Sequence, residues 1–124
     1  MDAKRRADMS DREYSPREFR SLWPEFEAES WAAWASVEDA VFGVRPEDPE
    51  LVRRVTGRER LPAEQVSEFW AVAGRGSGKS RFCARLAVYF AAGRTYRRVA
   101  GERIYVGVFA PDRKQAGVTF RYIV

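Results

Sequence analysis

The residues best suited to chemistry in this 124-residue chain form a glycine-rich segment, Ala73-Gly74-Arg75-Gly76-Ser77-Gly78-Lys79-Ser80. It matches the phosphate-binding pattern G-x-x-x-x-G-K-[ST] except at the first position, where alanine replaces glycine. A chain that wraps around phosphates turns its N–H groups inward, and three glycines supply the conformational freedom this requires. Lys79 is then expected to reach the β- and γ-phosphates and the Ser80 hydroxyl to ligate Mg²⁺. The segment therefore predicts a nucleotide-binding loop formed by residues Gly74, Arg75, Gly76, Ser77, Gly78, Lys79 and Ser80.

Two polar side chains are further candidates for this site. Arg75, inside the loop, could stabilise charge that develops on the γ-phosphate, as an arginine finger does. The alternative is a solvent-facing arginine in an arginine-rich protein. Gln65 precedes the loop and could contact the edge of an adenine base, and its alternative is an ordinary polar loop residue.

The elements around the loop predict an α/β fold. The continuous apolar run Phe69–Ala73 is typical of a strand buried on both faces, and the loop leads into a predicted helix, Ser80–Ala92, which Gly93 ends. Arg103–Ala110 is rich in β-branched and aromatic residues and predicts a second strand. Together they indicate a partial P-loop NTPase fold with parallel strands flanked by helices. A last helix is expected to begin after Asp112 and to continue to the end of the chain.

The amino-terminal half predicts helices that precede this core. Three-and-four spacing predicts an amphipathic helix over Ser30–Phe42, with Trp31 and Trp34 on its buried side and Gly43 at its end. A second helix is expected to begin at Asp48, an N-cap followed by proline, and to close near Gly57. We therefore expect a flexible leader over residues 1–15, a helical region over 16–68 and the nucleotide-binding core over 69–124.

Composition limits the chemistry further. The chain has one cysteine and no histidine, so it can form no internal disulfide and lacks the commonest metal ligand. No apolar run approaches the length of a membrane helix, which favours a cytoplasmic protein. Residues 1–68 contain 11 basic and 16 acidic residues, whereas residues 69–124 contain 11 basic and 2 acidic. The cationic half predicts phosphate groups as partners, from a nucleotide or from a nucleic acid backbone.

The acidic element that hydrolysis requires is missing from the pattern. An Asp that organises Mg²⁺ and a Glu that activates water are expected at the end of a strand, and no such Asp-Glu pair occurs. Asp112 follows the second predicted strand, but its position favours a helix N-cap. The adjacent pair Glu38-Asp39 lies in a predicted helix with no strand before it.

The loop, with its early arginine, resembles that of the large terminase subunit, the ATPase motor that packages DNA into tailed-phage capsids. The segment Ala110–Ala116 is similar to the one that follows the next strand in these motors, and Trp31, Trp34 and Thr56-Gly57-Arg58 resemble the approach to their ATPase core. The resemblance spans roughly Trp31 to Val124, and the loop is its most specific part. It implies ATP and Mg²⁺ as cofactors, bound by Lys79 and Ser80, with Arg75 as the residue that senses the γ-phosphate.

The resemblance also implies partners and a location. Terminase motors act on double-stranded DNA with a small terminase subunit and a portal, as homo-oligomers in the cytoplasm of the bacterial host. They also carry an acidic strand end, a coupling motif and a nuclease domain, none of which is present here. We therefore expect the chain to be an amino-terminal piece of such a motor and to be inactive in hydrolysis by itself.

Two other functions fit the same residues. A small P-loop nucleotide kinase or switch would need an acidic Mg²⁺ partner, for which Asp112 is the candidate. A non-catalytic nucleic-acid-binding module would bind the phosphate backbone through its basic residues. The candidates for that role are Arg94, Arg97, Arg98, Arg103, Arg113 and Lys114.

Overall fold

The computed structural model describes residues 12–123, which divide into two compact units. The N-terminal unit comprises residues 16–72. The loop unit comprises residues 12–15 and 73–123 and carries the glycine-rich segment.

The predicted partial P-loop NTPase fold, an α/β fold with parallel strands, is wrong. All regular secondary structure in residues 12–123 is helical, and neither Phe69–Ala73 nor Arg103–Ala110 forms a strand. A strand exists only when its N–H and C=O groups pair with a neighbouring strand, whereas an apolar and β-branched composition records only how side chains pack. The exposures agree, since Trp70 is 82% exposed and Phe109 is 94% exposed, although a covered sheet would bury such residues.

Three α-helices form the N-terminal unit: α1 (Pro16–Arg20), α2 (Ala32–Val41) and α3 (Pro49–Thr56), with 3₁₀ turns at Pro24–Glu27 and Glu29–Trp31. The prediction for α3 is confirmed in detail. The Asp48 carboxylate accepts a hydrogen bond from the Leu51 N–H at 2.9 Å, and Gly57 closes the helix in the left-handed conformation with φ +68°.

Helix α2 differs from its prediction in the face that it buries. It begins at Ala32 after a 3₁₀ turn, and Trp31 and Trp34 are only half-buried. The buried positions on α2 are Ser36, Glu38, Asp39 and Ala40. Apolar burial in the unit comes mainly from other segments, namely Phe19, Phe26, Phe42 and Val52. The periodicity therefore predicted that a helix forms here, but it did not predict that the helix buries mainly polar residues.

Gly43 marks the point where the chain leaves α2. Its φ is +70°, and a Cβ at this position would lie 2.5 Å from the Cα and carbonyl carbon of Glu64. The Val66 N–H donates to the Val41 carbonyl at 2.9 Å, so the returning chain closes directly against the end of α2. Glycine is required here both by the backbone conformation and by this close approach.

The loop unit contains α4 (Lys79–Val88), a π-helical turn at Tyr89–Gly93, and α5 (Arg113–Arg121). The predicted helix after the loop is confirmed, and Gly93 ends it. Helix α4 packs against α5 and contributes the buried side chains Phe82 and Ala84, and Tyr89 of the π-helical turn is also buried.

The described part of the predicted leader belongs to this packing. Residues 1–11 lie outside the described residues, but Tyr14 is buried. Its N–H donates to the Gly93 carbonyl at 2.9 Å, and its own carbonyl accepts a hydrogen bond from the Tyr89 hydroxyl at 3.3 Å. Tyr14 therefore ties residues 12–15 to the end of the helix that follows the loop.

Asp112 has the capping role that its position predicts. Its carboxylate accepts a hydrogen bond from the Gln115 N–H at 2.8 Å and so caps α5. The helix ends at Arg121 with Tyr122 as its C-cap, so the expectation that it continues through this point is wrong. Across the described chain, the helices are too short or too polar to cross a bilayer.

Candidate phosphate-binding loop

Two glycines of the loop adopt a backbone conformation with positive φ. Gly76 has φ +79° and Gly78 has φ +83°, while Ser77 between them keeps a negative φ. Left-handed residues within a turn are typical of loops whose N–H groups receive an anion. Gly78 is also the N-cap of α4, so the loop leads directly into the positive end of a ten-residue helix.

The three glycines of the loop are not equivalent. Gly76 and Gly78 adopt conformations that side chains other than glycine rarely tolerate. Gly74 has no positive φ, and a Cβ added there would meet nothing within 4 Å. A Cβ at Gly76 would also meet nothing within 4 Å, so there is open space at the loop that a phosphate group could fill.

Lys79 lies across the loop. Its ammonium donates a hydrogen bond to the Gly74 carbonyl oxygen at 3.0 Å, five residues earlier in the chain. The Ser77 N–H approaches the same oxygen at 3.4 Å. The cation is thus held at the start of the loop, next to the amides that would receive an anion.

The charges around the start of α4 favour an anion. The first turn of the helix contains no acidic residue, and Arg75 and Arg81 are both exposed. The Arg81 guanidinium lies 5.8 Å from the centre of the Tyr122 ring. The positive helix end, Lys79 and the two arginines therefore create a local potential that attracts phosphate.

Oxygen ligands for Mg²⁺ are scarce in this unit. Ser80 is half-buried at the second position of α4, where its hydroxyl could serve as one ligand. The Glu102 carboxylate accepts a hydrogen bond from the Val99 N–H at 3.1 Å, and Asp112 caps α5. Nowhere in residues 12–123 do three or more His, Cys, Asp or Glu side chains form a metal-binding group. Mg²⁺ at this loop would therefore depend on Ser80 and on phosphate oxygens of the nucleotide.

Arg75 and Gln65 are the two remaining predicted site residues, and their positions in the structure do not test the roles predicted for them. Arg75 is exposed at the turn of the loop, and its part as an arginine finger stays a prediction. Gln65 is exposed in the N-terminal unit, and its contact with a base also stays a prediction.

A buried charge cluster in the N-terminal unit is the feature that the pattern did not reveal. Glu38 and Asp39 are each 1% exposed. Arg20 Nη1 lies 3.3 Å from Glu38 Oε2 and 3.2 Å from Asp39 Oδ1, and it also donates to the Ala35 carbonyl. Arg17 donates to Asp39 Oδ2 at 2.8 Å, and this hydrogen bond raises the pKa of the Arg17 guanidinium. Both carboxylates are therefore engaged by arginines and do not supply the missing Mg²⁺ ligands.

Comparison with known proteins leaves the loop as the main guide to function. No family model, curated protein or solved structure matches this chain. The likeness to terminase motors therefore depends on the residues of the loop and of the segments named above, and not on a shared fold.

Proposed function

We propose that the loop unit binds the triphosphate of ATP together with Mg²⁺. The observation that carries the proposal is the pairing of two left-handed glycines, Gly76 and Gly78, with the Lys79 ammonium held over the Gly74 carbonyl. This pairing places a lysine ammonium beside a glycine loop that opens a helix, and phosphate binding at a helix start uses both elements.

Each residue of the loop has a distinct part in this proposal. The amides of residues 74–80 would receive the phosphate oxygens, and both the Ser77 N–H and the Lys79 ammonium would leave the Gly74 carbonyl to contact phosphate. The Ser80 hydroxyl would hold Mg²⁺, which when bound offsets phosphate charge. Arg75 would approach the γ-phosphate from solvent. The two carboxylates in residues 73–123, Glu102 and Asp112, are engaged elsewhere, so we propose binding without sustained hydrolysis.

The wider role that we propose comes from the sequence resemblance. A chain of this kind would contribute the ATP-binding loop of a phage terminase motor, acting on double-stranded DNA with a small terminase subunit and a portal. Its site of action would be the cytoplasm of the bacterial host, and its working form would be a homo-oligomer. The kinase or switch alternative is not favoured, because Asp112, its candidate Mg²⁺ partner, caps α5.

The test is a titration of the full chain with a fluorescent ATP analogue and Mg²⁺. Lys79→Ala removes a charge-assisted hydrogen bond of the kind worth about 1.5–3 kcal/mol, so binding should weaken by roughly 10- to 100-fold. Lys114→Ala is the matched control, since it removes an exposed lysine from α5 in the same unit and should leave the dissociation constant unchanged. Equal binding by the wild type and by Lys79→Ala would contradict the proposal.

Two further variants separate the backbone from the side chains. Gly76→Ala introduces a Cβ where φ is +79° and should weaken nucleotide binding by distorting the amide receptor. Gly74→Ala places a Cβ in a permitted conformation and should have a smaller effect. Ser80→Ala should reduce the Mg²⁺ dependence of binding more than binding without the metal.

A further inference from the structure

The segment of residues 94–114 in the loop unit, called here the basic aromatic segment, has no regular structure over most of its length. It is irregular from Arg94 to Asp112 and enters α5 at Arg113. Its side chains combine positive charge with exposed aromatic rings. None of these side chains belongs to the phosphate-binding loop at residues 73–80.

The charge of the basic aromatic segment is strongly one-sided. Its two acidic residues are both held by local hydrogen bonds, because Glu102 accepts from the Val99 N–H and Asp112 accepts from the Gln115 N–H. Its basic residues are mostly exposed and are Arg94, Arg97, Arg98, Arg103, Arg113 and Lys114. The segment is therefore complementary to a polyanion at both of its ends, over residues 94–103 and 113–114.

The aromatic residues of the segment fall into two groups. Tyr96 is covered, since its hydroxyl donates to the Phe90 carbonyl at 2.7 Å and the Arg94 guanidinium lies 5.7 Å from its ring centre. Tyr105 and Phe109, in contrast, are 81% and 94% exposed. The Phe109 ring lies against Gly107, where a Cβ would be only 2.7 Å from the ring. The Phe109 ring thus packs on the Gly107 backbone along one edge, while most of the ring is exposed to solvent.

We propose that the basic aromatic segment binds single-stranded nucleic acid. Bases would stack on the Tyr105 and Phe109 rings, and the exposed arginines on either side of the rings in the chain would contact the phosphates. Stacking tolerates any base, so the binding would show little sequence preference. A duplex offers phosphates but hides the faces of its bases, and a protein partner would not require this density of positive charge. The proposal is independent of the ATP site, because it uses none of residues 73–80.

The test is fluorescence anisotropy of a labelled 20-nucleotide oligo-dT with the full chain, with and without ATP. We expect binding that weakens steeply as salt rises, with a log–log slope of about −0.7 for each phosphate contacted. The double variant Tyr105→Ala with Phe109→Ala should weaken binding by at least about tenfold. The matched control, Tyr105→Phe with Phe109→Tyr, retains both rings and should keep the wild-type affinity. Circular dichroism would verify that each variant keeps its helices.

Several outcomes would overturn the proposal. These are the absence of oligo-dT binding, tighter binding of a 20-base-pair duplex than of oligo-dT, and an unchanged affinity in the alanine double variant. Concentration-dependent self-association that the alanine double variant abolishes, without nucleic acid binding, would instead assign the exposed rings to contacts between copies of this chain. Loss of oligo-dT binding in Lys79→Ala would also count against it, because that variant alters only the ATP site.

Discussion

In the N-terminal unit, Arg20 is 7% exposed and lies between two buried carboxylates, whereas Arg97, Arg98 and Arg103 of the loop unit are exposed. Aromatic residues show a similar contrast between buried and exposed positions. Phe19 and Phe26 are buried in the N-terminal unit, and Phe19 is in ring contact with Trp23 at 4.8 Å, while Tyr105 and Phe109 of the loop unit face solvent. The same residue types thus contribute to folding at these positions of the N-terminal unit and remain available for partners at these positions of the loop unit, although each unit also holds the opposite case, such as exposed Trp70 and buried Tyr89.

This difference shows why net charge alone does not identify a binding surface. The arginines of α1 add to the total charge of the chain, but their charge is compensated by Glu38 and Asp39. The charge of residues 73–123 has little compensation, because the two carboxylates there, Glu102 and Asp112, each accept a local hydrogen bond. Partners that carry phosphate should therefore be sought on the loop unit.

The largest expected effect follows from breaking the buried cluster. Arg20→Ala leaves Glu38 and Asp39 buried with less compensation, which should lower the free energy of unfolding by about 3–5 kcal/mol. Urea unfolding followed by tryptophan fluorescence would measure it. The control Arg54→Ala removes an exposed arginine of α3 and should change stability by no more than about 0.5 kcal/mol. Similar losses of unfolding free energy in Arg20→Ala and Arg54→Ala would contradict a stabilising role for the buried charge cluster.

The next effect tests the close approach at the end of α2. Gly43→Ala combines a left-handed φ with a contact of 2.5 Å to the Glu64 backbone, so it should cost about 2–4 kcal/mol of stability. Gly57→Ala has a similar φ but nothing within 4 Å of the added Cβ, and it should cost only about 1 kcal/mol. Thermal unfolding of both variants gives the difference. A larger loss of stability in Gly57→Ala than in Gly43→Ala would contradict the close packing of residues 64–66 against the end of α2.

A smaller effect compares one helix cap from each unit. Asp48→Ala and Asp112→Ala each remove a side-chain acceptor from a helix N-terminus, at a cost of about 1 kcal/mol. Urea unfolding should show similar losses, since both caps act locally. Amide hydrogen exchange should show each loss confined to the first turn of its own helix. A global loss from either variant would show that the cap supports more than its helix.

The smallest effect concerns the chain's single cysteine in the loop unit. Partial burial raises the pKa of the Cys83 thiol, although part of the residue reaches the surface. Because the thiolate is the reactive form, alkylation by iodoacetamide near pH 8 should be slower in the folded chain than in urea. The stability that the protonated thiol contributes is fully present below its ordinary pKa and is lost as pH rises through the raised value. Equal alkylation rates in the folded and unfolded chains would contradict this placement.

Helix capping and helix existence were predictable because they depend on residues a few positions apart. Asp48 and Asp112 cap the helices that follow them, Gly57 and Gly93 end helices, and the glycine loop leads into α4, all as the pattern indicates. Glycine permits the positive φ values at Gly76 and Gly78, although Gly74 in the same loop does not adopt one. The location of the candidate site was thus available from local spacing alone.

The sheet and the buried charges were not predictable on the same basis. Whether Phe69–Ala73 and Arg103–Ala110 become strands depends on backbone partners distant in the chain, and the structure provides none among residues 12–123. The burial of Glu38 and Asp39 depends on Arg17 and Arg20, about twenty residues earlier. Sequence by itself therefore determined the local elements, whereas tertiary structure decided which side chains became buried and which stayed exposed. The reason is that capping and turn energies act within a few residues, while desolvation and strand pairing depend on groups that only the folded chain brings together.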